Sequence, residues 1–185
     1  MRRLLLAPPF ALLLLAAIQA AADDHEHEAH ASLTAHQHGA AQLNMALDGN
    51  TLELALESPT MNIVGFEHAA ISASDQAAAA KAQQQLQEPL ALFSIPAAAG
   101  CSVESSELSS PLFTPSTTAA VTEAEHSDVD AGYALTCSHP EQLQGIDLSE
   151  LFNRFPAMQK IQVQLIGPKG QQGGELSPSN PRLNF

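Results

Sequence analysis

Residues 40–59, AAQLNMALDGNTLELALESP, alternate between apolar and polar or small side chains. Leu43, Met45 and Leu47 fall on one parity, and after Asp48-Gly49 so do Leu52, Leu54 and Leu56. A period of two places each set on one face of a strand. Asp-Gly between two such runs is a hairpin signal. A two-residue turn at Asp48-Gly49 pairs Leu47 with Asn50, Met45 with Leu52 and Leu43 with Leu54, and a four-residue loop keeps the same parity. Either way the apolar residues share one face, and Gln42, Asn44, Glu53 and Glu57 line the other.

The periodicity then changes. SPTMNIVGFEHAAIS reads as a loop with a buriable cluster at Ile63, Val64 and Phe66. SASDQAAAAKAQQQLQEP reads as a helix capped by Ser74 and stopped before Pro89. LFSIP (92–96) leads through AAAG to a strand at 101–108, and DVDAGYALTC alternates as a strand at 129–137. In GIDLSELFNRFP, Asp147 stands three residues before Glu150 in a capping-box arrangement. Leu148, Leu151, Phe152 and Phe155 follow at helical spacing, and Pro156 ends the run. KIQVQLIG alternates again, and GPKGQQGG is a turn. LFSIP and LFNRFP echo each other, each between a helix and a strand. The expected fold is α+β: two small halves, about 40–108 and 127–185, of antiparallel hairpins and strands with one helix each. They admit a pseudo-two-fold relation and are joined by a polar loop at 109–126.

The first residues lead to the expectation of an exported chain in an oxidising compartment. MRR followed by LLLAPPFALLLLAAI (4–18) has the form of an export signal, too short to span a bilayer. Cleavage is expected after Ala20 (Ile18 at −3) or after Ala22 (Ala20 at −3), giving a secreted, most simply periplasmic, protein. Cys101 and Cys137 are then expected as a disulfide, which in an antiparallel register sets Val103 opposite Leu135. Loss of Arg2 and Arg3 takes the formal charge from −13 to −15, a surface that repels nucleic acid and anionic lipid and attracts cations.

Metal binding is the reactive chemistry that these residues favour. Residues 23–39 form a polar arm containing HEHEAHASLTAHQHG, in which His25, His27, His30, His36 and His38 fall within fourteen positions. Imidazole and carboxylate suit Zn²⁺, and also Cu²⁺ and Ni²⁺. His25/His27 and His36/His38 are spaced two apart, so in extended chain each pair points one way. HEHEAH reads as a collector of ions, and HQHG as the entry to the first strand. If the strand register continues back through Gly39, His36 and His38 share the polar hairpin face with Glu57. His68 beside Glu67, in GFEHA, reads first as a loop histidine satisfying a carbonyl, and His126 first as part of a solvated acidic loop, with a weak metal site as the alternative. Cleavage after Ala22 also creates an Asp23-Asp24-His25 terminus, a nitrogen set that Cu²⁺ and Ni²⁺ prefer. GxSxG, P-loop, HExxH and paired-CxxC motifs are missing, so no enzyme is expected. A copper- or nickel-binding protein and an envelope interaction module with incidental histidines are the alternatives.

HQHGAAQLNMALDGNTLELALESPTMNIVGFEHA, with LFSIPAAAGC, HSDVDAGYALTC, LFNRFP and IQVQLIGPKGQQGGEL, resembles the ZrgA-like family of bacterial periplasmic proteins, long filed as a domain of unknown function. The resemblance implies a zinc-binding accessory protein of zinc acquisition, a buffer or chaperone that hands the ion to an ABC-type importer or its binding protein. It also implies two α+β halves related by pseudo-symmetry. The positions that match are the His36/His38 lead-in, Glu67-His68 and His126. Members of that family often carry a long His-, Asp- and Glu-rich region between the strands placed here at 101–108 and 129–137. In this chain it is reduced to TPSTTAAVTEAEHSDVD, with one histidine, which argues against high-capacity storage there.

Overall fold

Alternation becomes strand in the computed structural model, which describes residues 37–113 and 127–184. The leader-like segment, His25, His27, His30, His36 and His126 lie outside the described residues. β1 (Ala40–Asp48) and β2 (Thr51–Pro59) form the expected hairpin, with Leu43, Met45, Leu47, Leu52, Leu54 and Leu56 all buried. The register differs by two residues from the one built on an Asp48-Gly49 turn. Asp48 faces Thr51, Leu47 faces Leu52 and Met45 faces Leu54, so the turn residues are Gly49 and Asn50. Gly49 supplies the positive φ that a tight turn requires, at +56°. The parity is nevertheless the expected one. A one-residue slip would expose six apolar side chains, each stabilised by about 1.5–3 kcal/mol on burial.

Beyond β2 the chain forms α1 (Thr60–Val64), α2 (Ala73–Leu86) and α3 (Pro89–Leu92). The cap of α2 is Ser72, not Ser74: its hydroxyl accepts from the amide of Asp75. β3 (Cys101–Ser109) and β4 (Asp128–Cys137) pair antiparallel, with Cys101 opposite Cys137 and Val103 opposite Leu135, and the disulfide forms. A bulge between Val103 and Ser105 shifts the register beyond that point. β5 (Gly145–Asp147), α4 (Ser149–Arg154), β6 (Lys160–Gly167), β7 (Gly170–Leu176) and β8 (Arg182–Asn184) complete the described chain. The capping box at α4 does not close. Asp147 accepts from the Ser149 amide at 2.9 Å, but Glu150 turns outward to Arg154 at 2.8 Å.

The fold is thus α+β, with one six-stranded sheet ordered β3-β4-β2-β1-β6-β7 and a two-stranded ribbon of β5 and β8. β4 lies between β2 and β3, and β6 runs parallel to β1, so strands from both stretches interleave in one sheet. One sheet face is apolar. Leu43, Leu54, Val129, Leu135, Val163 and Leu165 pack there against Leu86, Leu92 and Phe93 from α2 and α3 and Leu151 and Phe152 from α4. The two LF pairs of the echoing motifs therefore enter the same core. Tyr133 also points into it, its hydroxyl donating to the Leu86 carbonyl at 2.8 Å and its ring edge-on to Phe93. Burial pushes its phenol above its ordinary range.

Candidate metal centre

At the N-terminal end of β1 the chain does not run straight into the strand. Gly39 has φ +82°, a conformation that other L residues rarely adopt, and the amide of Ala40 bonds back to the Gln37 carbonyl at 3.0 Å. The extended register therefore ends at Ala40. This corrects the expectation that His38 continues onto the polar hairpin face beside Glu57. Glu57 lies opposite Gln42 on the sheet and lines a cavity of about 370 Å³ with Gln37, Asp128, Lys160 and Glu175. His38 turns instead to the loop after α1, where its Nε2 and the Glu67 Oε1 are 3.0 Å apart. The carboxylate side chain is 14% exposed and the imidazole 52%, so a shielded acid holds a ring open to solvent.

Both partners are fixed by buried polar groups. The Asn62 side chain accepts from the Gly39 amide at 2.6 Å and donates to the Ala40 carbonyl at 2.8 Å and the Ser58 hydroxyl at 3.1 Å. On the other side, the Gly39 carbonyl accepts from the amides of Gln159 and Lys160, which ties the turn to the start of β6. A Cβ at Gly39 would stand 3.3 Å from Gln159 Cγ, so space as well as conformation favours glycine.

Glu67 is set by Thr60 and Ser127. The Thr60 amide donates to the Ser127 carbonyl at 2.8 Å, which brings the start of β4 against α1. The two hydroxyls lie 2.8 Å apart, with the Phe66 carbonyl 2.9 Å from Thr60 and the Glu67 carbonyl 3.2 Å from Ser127. Two hydroxyl hydrogens serve these three contacts, so two are made at any moment. The result is a loop whose backbone is pinned on both sides of Glu67.

His68 is exposed, and its ring stacks on Phe66 with centroids 4.6 Å apart and planes 12° from parallel. Nδ1 donates to the Ala69 carbonyl at 3.1 Å. This is the structural role expected of a loop histidine. A neutral ring in this contact carries its hydrogen on Nδ1 and has Nε2 available as a ligand atom.

The structure thus brings together His38 and Glu67, with His68 next in the chain, and leaves Glu57 on another face. Among the described residues, no three His, Cys, Asp or Glu side chains gather closely enough to hold a metal ion. Asn62, Thr60 and Ser127 are the positioning residues that the sequence pattern missed. The contacts that tie them to the site, Asn62 to Gly39 and Ala40 and Thr60 to Ser127, span 22 to 67 residues, so no local signal marks them. No helix among the described residues is long and apolar enough to cross a membrane.

A family model described as ZrgA family zinc uptake protein matches residues 35–185, all of the described chain. None of the curated proteins matches. The chain belongs to the ZrgA family of zinc uptake proteins.

Proposed function

We propose that this member of the ZrgA family is a zinc-binding accessory protein of the periplasm, a buffer or chaperone that takes up Zn²⁺ as cargo and passes it to an importer. The observation that carries the reading is the His38–Glu67 pair. Two ligands about 2.0–2.1 Å from a tetrahedral zinc ion lie roughly 3.3 Å from each other. The 3.0 Å pair therefore needs only a few tenths of an ångström to admit the ion. The metal takes the place of the hydrogen in that contact.

Further ligands are close along the chain. His36 is two residues before His38, His68 follows Glu67, and His126 is one peptide bond from Ser127, whose hydroxyl lies 3.2 Å from the Glu67 carbonyl. The His38 turn, the Glu67 loop and Ser127 thus meet at one place. His25, His27 and His30 in the arm act as a first collector under this reading.

The test is a competition titration for zinc at neutral and mildly acidic pH. Imidazole ligands must be deprotonated, so affinity should fall as pH drops through the ordinary histidine range near ~6.5. H38A or E67Q should weaken binding by at least roughly 10-fold at neutral pH, since loss of even a supporting group has an effect of that scale. Unchanged affinity in both variants would overturn the site.

A further inference from the structure

The second face of the six-stranded sheet is uncovered by any described element. Asn44, Glu53, Ala55, Glu57, Asp130, Gln162, Gln164 and Ile166 are exposed across four adjacent strands, β4, β2, β1 and β6. An antiparallel sheet often leaves one face in water, so exposure alone says little. The composition of this face says more. Its strands bring up Glu53, Glu57, Glu107, Asp130 and Glu175, whereas Lys160, 4.0 Å from Glu175, is the one basic residue in any of them.

The middle of the face is low. Ala46, Glu53 and Ala134 stand in one cross-strand row, with Ile166 at its end opposite Ala46, and Asn44, Ala55, Gly132 and Glu107 stand in the next. They form an open trough of about 530 Å³. Glu53 and Glu107 lie on the strands either side of β4 and one row apart, so roughly 12 Å separates them at ~4.8 Å per strand and ~3.4 Å per residue. Only Gly132 and Ala134 occupy the floor between. Ile166 is 63% exposed at the far rim, the most exposed of the large hydrophobic residues among those described.

We infer that this trough docks a Lys/Arg-bearing segment of another protein, with an apolar side chain that covers Ile166. Charge decides among the occupants. A second copy would set the same carboxylates against each other. Residues 23–36 and 114–126 contain no Lys or Arg, and both carry acids, so neither segment of this chain complements the face. A basic partner pairs with Glu53 and Glu107 across the trough and steers in over a Debye length. The inference rests on this face alone and not on the metal site, which lies at the end of β1.

The test places p-benzoylphenylalanine at Ala55 in the full-length protein in its native host, with Gln84 on α2 as the control position. Irradiation should give an adduct at Ala55 whose cross-linked peptide, sequenced by mass spectrometry, is Lys/Arg-rich and foreign to this chain. Adding E53K and E107K, both exposed and away from the core, should lower its yield at least 10-fold while the thermal melt is unchanged. High salt in permeabilised cells should lower it in parallel. No adduct above the Gln84 control overturns the inference. So does an adduct to residues 23–36, to 114–126 or to a second copy, and so does one that survives the charge reversal.

Discussion

Asn62 satisfies three polar groups at once: the amide of Gly39, the carbonyl of Ala40 and the hydroxyl of Ser58. It is 1% exposed, so water cannot replace it. An N62L variant keeps the volume but leaves a backbone N–H and C=O without their partner, a loss of about 1–3 kcal/mol for a buried group. Urea unfolding should record that loss at unchanged m-value. Zinc affinity should fall as well, because the Gly39 turn aims His38 at Glu67. Residue-scale features of this kind were the least legible in the sequence. Glu67 and His68 were visible as chemistry, and His38 as a lead-in, but their pairing depends on Gly39 adopting φ +82°. An extended Gly39 would have sent His38 toward Glu57, as the alternation suggested. The deciding contacts, Asn62 to Gly39 and Ser127 to Glu67, are tertiary and leave no period in the chain.

The elements were more legible, because parity and burial reinforce one another over several residues. The hairpin face was readable although its turn lay one residue later than Asp-Gly implied, since a two-residue register shift leaves parity intact. The β3–β4 pairing was readable from Cys101 and Cys137, and only the bulge after Val103 escaped. β3 is an edge strand bonded to β4 alone, so the disulfide clamps an element with one neighbour. In the chain-entropy model its loop stabilises by about 3–4 kcal/mol. The paired C101S/C137S protein should lose about that much in urea unfolding, and hydrogen exchange should speed up in β3 first. Zinc affinity should change little, because the disulfide is at the opposite end of β4 from Ser127. A second element-scale prediction concerns the β5–β8 ribbon, where Arg182 bonds Asp147 at 2.7 Å. Burial pushes the Asp147 carboxyl up, but hydrogen bonds from Ser149 and Arg182 outweigh it and hold it below its ordinary range. A depressed folded value contributes stability above the unfolded pKa of ~3.9 and loses it as pH falls further. R182Q should therefore be less stable than wild type near neutral pH by about 0.2–1 kcal/mol, the scale of an exposed pair. The two stability curves should converge below about pH 4 as Asp147 becomes protonated in both proteins.

At the scale of the whole molecule, the sheet separates two tasks. Its apolar face carries the core, its acidic face is open, and the His38–Glu67 pair stands at the end of β1 beside the entry to β4. The parallel contact between β1 and β6 joins strands more than a hundred residues apart, and nothing in either strand's pattern selects that partner. It also holds the Gly39 carbonyl through Gln159 and Lys160, so the site depends on the last third of the chain. The histidines divide along the same line. His25, His27 and His30 belong to the acidic arm, whereas His36 and His38 adjoin the anchored turn. A mature chain lacking residues 23–35 keeps that turn and should retain tight zinc when purified without a His tag and analysed for metal. Its stoichiometry should fall by the ions that the arm alone collects. If zinc is lost entirely, the arm rather than the pinned loop is the binding element, and the Asn62 clamp serves stability only. If the truncated chain instead keeps its zinc and H38A within it abolishes binding, the ion sits where the first strand begins.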